Sequence, residues 1–545
     1  MKSTTIHTPK RPGRAVPRRR AAGAVFKLHA AAAVALLFWL CLAGGRPAPA
    51  RAQTPADYER LERAAGLIRR GELERAEGEL GAVLRVRPGE ANALNLLGVV
   101  RAKQGRADEA EGFFLRALKS SPALVGAYLN LGQLYLDGRQ DERALWAFGE
   151  ALKLAPDRPD INFQAATLRA ERGEYAAALA HLRKVPADPS DFDHLVLLVR
   201  CHLGLGREEE ARALVRRIAR SDAAPPEALA SLAATLTRFG RAAEAVETLE
   251  AARGRRPDSP LLLYGLGVAY EAKGEPGRAE GLYAAAAALD PDSVPALRAL
   301  ARLANARGEH EKALAHLIRA RKLDPDSSQV LYDFGWTALN LNLLYDALPV
   351  LERLHRMKAD EPGYLYALAI ARLHNQEGER AQELIGRYVK LRPGDARGHY
   401  VLGATLYSLK RYEAARLSLR RSEELAPYAD AEYYLGLVAR EEGDQEQAAE
   451  WFRRAIKSDP AHAAAHAELG VLDLARRDYA AARAALERAA ALNPRDVKAH
   501  YQLGIVYSRL GDKARSEEMF ARSRQLRAEE RKREVVGFKL VDPPR

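Results

Sequence analysis

The sequence predicts an all-α chain, a solenoid of about fourteen stacked two-helix units. Three observations carry this reading: a 34-residue self-similarity, small residues fixed at set places in the period, and apolar residues at three- and four-residue spacing. "NLLGVVRAKQGRADEAEGFFLRALKSSP" (residues 95–122) is echoed by "NLGQLYLDGRQDERALWAFGEALKLAP" (130–156). Gly98, Ala110 and Pro122 return 34 residues later as Gly132, Ala144 and Pro156, with Gly138 as a further small residue between them.

The first element precedes the repeats. Residues 1–52 carry ten Lys or Arg and no acidic residue, so most of the chain's formal net charge of +13 sits at this end. The remainder holds 75 basic against 72 acidic residues, a mixed-charge surface that gives no reason to expect nucleic acid as a partner. Arg18, Arg19, Arg20 and Lys27 precede the apolar run at residues 30–43 and then "GGRPAPARAQ". Fourteen apolar residues suit the core of an export signal, whereas roughly 20 are needed to span a bilayer as a helix. The small residues Ala50 and Ala52 place cleavage before Gln53, which makes residues 1–52 a signal peptide and the protein an exported, periplasmic one. The alternative is an uncleaved inner-membrane anchor formed by residues 30–43, the only route by which the chain would engage a membrane. Cys41 lacks the small residues expected before a lipidated cysteine, and the arginine triplet lacks the apolar residue expected behind a twin-arginine signal. Beyond the signal one cysteine remains, Cys201, so packing and not disulfides must hold the fold.

The repeats come next, in copies starting at residues 57, 91, 125, 159, 192, 226, 260, 294, 328, 362, 396, 429, 463 and 497. The eighth residue is Gly in eight copies and Ala in five, with Val199 the exception. The twentieth is Ala in thirteen and Ser516 in the last, and the thirty-second is Pro in ten. Copy seven shows why. Leu263, Leu266, Gly267 and Tyr270 share one face of a first helix, which Gly274 ends in the left-handed conformation. Ala279, Tyr283 and Ala286 stripe a second helix, and Pro291 closes the unit. Gly267 and Ala279 are expected to meet where the two helices cross. Such a pair cannot bury its apolar faces alone, so neighbours must stack. In copy nine Pro349 falls inside the second helix, where it removes a backbone donor and should kink it.

Leu-Gly, Tyr three further on, Ala, an aromatic four later and a closing Pro, at period 34, resemble the tetratricopeptide repeat. The resemblance covers residues 57–530, so the solenoid is assigned residues 53–530. It implies a right-handed superhelical solenoid whose concave groove holds protein or peptide segments, and no catalysis or cofactor of its own. At the ends, Arg63 stands where later copies place Leu, and "RQLRAEERKREVV" is a charged helix suited to facing water. Residues 531–545 are assigned to that helix end and a flexible tail, with no repeat pattern in residues 537–545.

Searching for chemistry yields little. The chain contains no "GxxxxGK", "HExxH", "CxxC" or "GxSxG". His462 and His466 in "HAAAH" have metal-ligand spacing, but His466, His399 and His500 occupy the fourth place of their copies, where the repeat family often packs an aromatic. Glu208, Glu209 and Glu210 open a second helix and suit its positive dipole end. The Lys and Asn set by which some family members clamp a C-terminal carboxylate is absent around Asn130. The asparagine ladder of the glycosyltransferase members is broken by Leu96, Gln164, Leu197 and Ser231.

What remains is an aromatic stripe. The fifth residue is Tyr264, Tyr332, Tyr366, Tyr400, Tyr433 and Tyr501 in six later copies, and the ninth and twelfth residues share its helix face. In copies nine to eleven that face becomes apolar: Tyr332, Trp336 and Leu339, then Tyr366, Ile370 and Leu373, then Tyr400 and Tyr407. It is either packing between adjacent first helices or a partner-binding patch. The resulting expectation is an exported scaffold of the bacterial envelope, serving envelope assembly, secretion or surface-polymer export through protein or peptide segments. The alternative is a glycan-contacting accessory subunit of polysaccharide synthesis or export. Tyrosines without evident carboxylate partners favour the peptide reading.

Overall fold

The computed structural model describes residues 55–539, with side chains through residue 529. The expected signal and anchor in residues 1–52 therefore lie outside the described residues. Twenty-eight helices and no strands occur among the described residues, pairing into fourteen units that match the sequence frame. Most first helices have 13 residues and most second helices 14, as in Val125–Asp137 followed by Asp141–Leu154. No described helix is long and apolar enough to cross a membrane. The chain divides into two compact units, Met1–Leu303 and Ala304–Arg545.

The fifteenth residue of every unit is left-handed. Nine are glycines, including Gly274 at φ 89°, and five are not: Arg139, Asn342, Gln376, Lys410 and Arg477, at φ 56° to 63°. Gly138 is thus not the residue that reverses the chain in copy three. Its own φ is −79°, and the strained turn position falls one residue later, on Arg139.

The eighth-position glycines solve a packing problem, but not against the residue expected. A Cβ on Gly267 would lie 2.6 Å from Cε1 of Tyr283, the twenty-fourth residue, so it is that ring and not Ala279 that demands glycine. The rule recurs sixteen residues on in each case: Gly98 against Phe114, Gly132 against Phe148, Gly436 against Phe452, and Gly504 against Phe520. Where the eighth residue is alanine, the twenty-fourth is aliphatic, as in Ala64 with Leu80, Ala233 with Leu249 and Ala301 with Leu317, all buried. Every aromatic twenty-fourth residue thus faces a glycine, whereas Gly335, Gly403 and Gly470 face Leu351, Leu419 and Leu486, so the size match is strict only for the rings. The twentieth-position alanine does contribute its backbone, since Ala482 O would lie 3.2 Å from a Cβ on Gly470.

Pro349 is the sixth residue of Leu344–Met357, so it lies past the first turn and deprives the Tyr345 carbonyl of its intrahelical donor. The final helix runs Lys513–Lys539, which takes Gly537, Phe538 and Lys539 out of the expected tail and into the helix. Its inner face buries Ser523 and Leu526.

Candidate functional site

The first helices of copies nine to twelve are Ser328–Asn340, Pro362–His374, Ala396–Ser408 and Ala429–Glu441. Their shared register sets equivalent residues side by side, so a stripe in sequence becomes a patch in space. Trp336 stacks on Tyr366 of the next helix, with ring centroids 6.2 Å apart and planes 29° from parallel. Tyr366 in turn meets Tyr388 at 5.1 Å, and Tyr332 meets Tyr364 at 5.7 Å. A larger cluster forms one unit on. Tyr400 contacts Tyr428 at 4.9 Å and Tyr434 at 5.8 Å, and Tyr407 contacts Tyr434 at 5.6 Å and Tyr412 at 5.7 Å. Tyr433 carries the cluster on to His462 at 5.0 Å.

The eight expected residues do not share one environment. Leu339, Ile370 and Tyr400 are buried, whereas Tyr332, Trp336, Tyr366, Leu373 and Tyr407 are half-buried and present part of their surface. Tyr364, Tyr388, Tyr412, Tyr428 and Tyr434 were not anticipated, because they lie off the fifth, ninth and twelfth positions. A signal existed: seven tyrosines fall between residues 388 and 434 of only 21 in the chain.

The tyrosines are not without carboxylate partners, which corrects the sequence reading. Tyr388 donates its hydroxyl to Asp395 at 2.5 Å, and Tyr407 donates to Glu441 at 3.5 Å. Asp395 comes from the seam before Ala396–Ser408 and Glu441 from the end of Ala429–Glu441, both off the fifth, ninth and twelfth places that the sequence pattern follows. Asp395 is held below the ordinary carboxylate range even though its burial works against this, because Tyr388 and Arg397 both bond it. Burial pushes the phenols of Tyr366 and Tyr434 up to about 12, and burial with the nearby Asp430 charge lifts Tyr400 well above its ordinary value. Near neutral pH these hydroxyls therefore stay protonated and serve as donors. The face offers ring surfaces, hydroxyl donors and a few carboxylates.

The histidines have structural employment. His462 accepts the Ala465 N–H at Nδ1 (3.0 Å) and sets Nε2 3.3 Å from Asp430. His399, His466 and His500 place Nε2 at 3.1, 3.3 and 3.0 Å from the carbonyls of Pro393, Pro460 and Pro494, six residues back. Asn162 makes the same bond to Pro156 at 2.9 Å. The fourth place is thus a donor to the closing proline of the preceding unit in these copies, not an aromatic packing place. No cluster of metal-ligating residues occurs among the described residues. Cys201 is fully buried, and burial raises its thiol to about 11, which keeps it protonated.

Models of the tetratricopeptide repeat match residues 61–124, 129–192, 228–294 and 419–463, and others match 169–236, 271–332 and 473–511. A model of anaphase-promoting complex, cyclosome, subunit 3 matches residues 340–422. Cellulose synthase operon protein C of Pseudomonas fluorescens (strain SBW25) is 29% identical over 233 residues, 39% of this chain but only 18% of that protein. The chain therefore spans less than a fifth of that relative's length. Among solved structures, the APC/C hetero-tetramer Cut9-Hcn1 is 15% identical with a TM-score of 0.44, covering 87% of this chain and 94% of that one. Yeast Tom70 is 16% identical with a TM-score of 0.35, covering 83% and 99%.

Proposed function

Because the chain belongs to the tetratricopeptide repeat family, whose stacked helix pairs are protein-interaction scaffolds, we propose that it is such a scaffold in the bacterial envelope. It holds partner segments on the first helices of copies nine to twelve. The observation that carries the site is the half-buried Trp336–Tyr366 stack, continued by the tyrosine cluster around Tyr434. Rings fixed by mutual packing lose little entropy when a partner covers them, which makes such surfaces effective anchors. The envelope assignment is supported by the export pattern of residues 1–52 and by the similarity to a cellulose synthase operon protein.

A second reading, direct contact with a glycan chain, is favoured by one specific observation. Tyr388–Asp395 and Tyr407–Glu441 supply the ring-and-carboxylate pairs that a polyhydroxyl ligand uses, rings for its C–H faces and acids for its hydroxyls.

Purification from an envelope fraction, with N-terminal sequencing of the recovered chain and crosslinking through a photoreactive residue at Leu373, tests both. A mature start at Gln53 and a crosslinked protein band support the scaffold reading. Crosslinks to carbohydrate alone support the second reading, and recovery from the cytoplasm overturns the envelope assignment.

A further inference from the structure

Arginines are plentiful in this chain, and seven of the fourteen in copies four to six have a bonded partner among the described residues. Arg169 bonds Glu174 at 2.6 Å, Arg172 bonds Glu174 at 2.8 Å, and Arg241 bonds Glu208 at 2.8 Å. Arg200 and Arg238 do not. Neither makes a hydrogen bond or ion pair among the described residues, and neither does Glu171 beside them. The three lie on successive first helices, Pro159–Glu171, Phe192–Gly204 and Pro226–Arg238, at the thirteenth, ninth and thirteenth places. Arg200 is half-buried and its Nε is sealed from solvent with no acceptor; Arg238 and Glu171 are exposed.

Buried polar atoms without partners are rare in folded proteins, and here they concentrate. Besides Arg200 Nε, the Thr235 and Thr237 hydroxyls and the Nδ1 atoms of His194 and His202 are orphaned in copies five and six. Thr237 immediately precedes Arg238. Tyr175 lies across Gly204, where a Cβ would sit 2.1 Å from its ring, and it packs on Phe239 at 5.9 Å. The Arg200 Nε and the Thr235 and Thr237 hydroxyls on these neighbouring first helices thus have no acceptor.

We propose that Arg200 and Arg238, with the Tyr175 ring packed between their helices, form a docking site for an aspartate or glutamate side chain in the middle of a partner segment. A carboxylate is the complement of a guanidinium fork, and two arginines that share one carboxylate leave a deficit of one negative charge. Although Glu171 is exposed, desolvation of its carboxyl and the nearby Asp141 raise it above the ordinary range, against the opposing pull of Arg200 and Arg238. Burial and the Arg238 charge weaken the protonated form of Arg200, while Glu171, Cys201 and Tyr175 oppose them, so an arriving anion relieves a stressed cation. First helices of further copies flank the site on both sides within the same compact unit, so a partner chain continues past it in both directions. This site shares no residue with the aromatic face, and its fate is independent of that reading.

The test uses the purified full chain and fluorescently labelled acetyl-(Glu-Ala)6-amide, whose carboxylates are all internal. Its binding is compared with that of the glutamine analogue, of the glutamine analogue with a free C-terminus, and of oligogalacturonate. The glutamate peptide binds most tightly, and Arg200→Gln or Arg238→Gln weakens it by about tenfold or more, as loss of a charge-assisted hydrogen bond implies. Arg238 is exposed, so its variant keeps the wild-type melting curve and isolates binding from folding. At low pH the peptide's own glutamates protonate and binding is lost, whereas at neutral pH Glu171 competes for the two arginines, so Glu171→Gln tightens binding there. Equal binding of the glutamine peptide, preference for the free C-terminus or for oligogalacturonate, no peptide binding at all, or arginine variants that bind as wild type would each overturn the site.

Discussion

Substituting Gly132 by alanine isolates the volume rule that links the eighth and twenty-fourth residues. A Cβ at Gly132 would lie 2.5, 2.8 and 2.9 Å from three atoms of the Phe148 ring, which is fully buried and has no room to withdraw. In an unconstrained helix the change would stabilise by up to about 1 kcal/mol, because alanine is the better helix former. Overpacking costs about 1–3 kcal/mol, so the packing term wins and the net loss is about 1–2 kcal/mol. Phe148→Leu alone leaves a void and costs about 1–2 kcal/mol, scaled from the larger penalty of truncating a phenylalanine to alanine. Together the two recreate the pair that Ala64 with Leu80 and Ala233 with Leu249 already form. The double variant should regain most of the loss, with a coupling energy of about 1–3 kcal/mol. Because a repeat array need not unfold in one step, the readout is hydrogen exchange within Val125–Asp137 and Asp141–Leu154, alongside urea unfolding. Additive losses in the double variant would refute the volume rule.

Trp336→Ala with Tyr366→Ala should cost partner affinity roughly 30-fold while leaving the melting curve almost unchanged, since anchor truncations typically lose about 2 kcal/mol. A large fall in melting temperature with affinity intact in the folded fraction would return these rings to packing alone. Arg139→Gly should stabilise by up to about 1 kcal/mol, read by urea midpoint, because it removes a left-handed side chain at a cost in unfolded-chain entropy that only partly offsets the gain. Glu377 sits at about 2, chiefly through Asn375 and Arg372, so its folded value is depressed and it stabilises above the ordinary carboxyl range. That contribution disappears as pH falls from about 4.5 towards 2, and Glu377→Gln should flatten this part of the stability curve measured by circular dichroism.

Much of the fold was legible because the repeat states its rules fourteen times. Gly274 announced its left-handed turn, and the proline at Pro291 its unit boundary. Arg139, Asn342, Gln376, Lys410 and Arg477 gave no such notice, since stacking neighbours impose φ on side chains that would not choose it. The partner of Gly267 was misread because residue size shows which position is small, while only packing shows what fills the space, here Tyr283. At the aromatic face, Trp336 and Tyr366 were readable from helix periodicity. Tyr388 was not, because it reaches the face from the second helix Gly378–Leu391, nor were Tyr428 and Asp395, which sit at seams where period 3.6 stops and three-dimensional proximity takes over.

The bonds from His399, His466, His500 and Asn162 to the proline carbonyls six residues back also bear on mechanics. Each ties the last residue group of one unit to the first helix of the next, at the place where proline has ended the regular ladder and a carbonyl would otherwise be spare. In seven other copies the same place is a leucine, and at three of those seams an arginine in or capping the following second helix bonds the seam carbonyl instead, Arg256 to Ala224, Arg353 to Pro325 and Arg387 to Ala359. A directional bond resists rotation as well as separation. Stiffness along the chain is consequently uneven: seams pinned by a polar fourth residue or by such an arginine are the stiff links, and bending strain falls on the leucine seams that have neither.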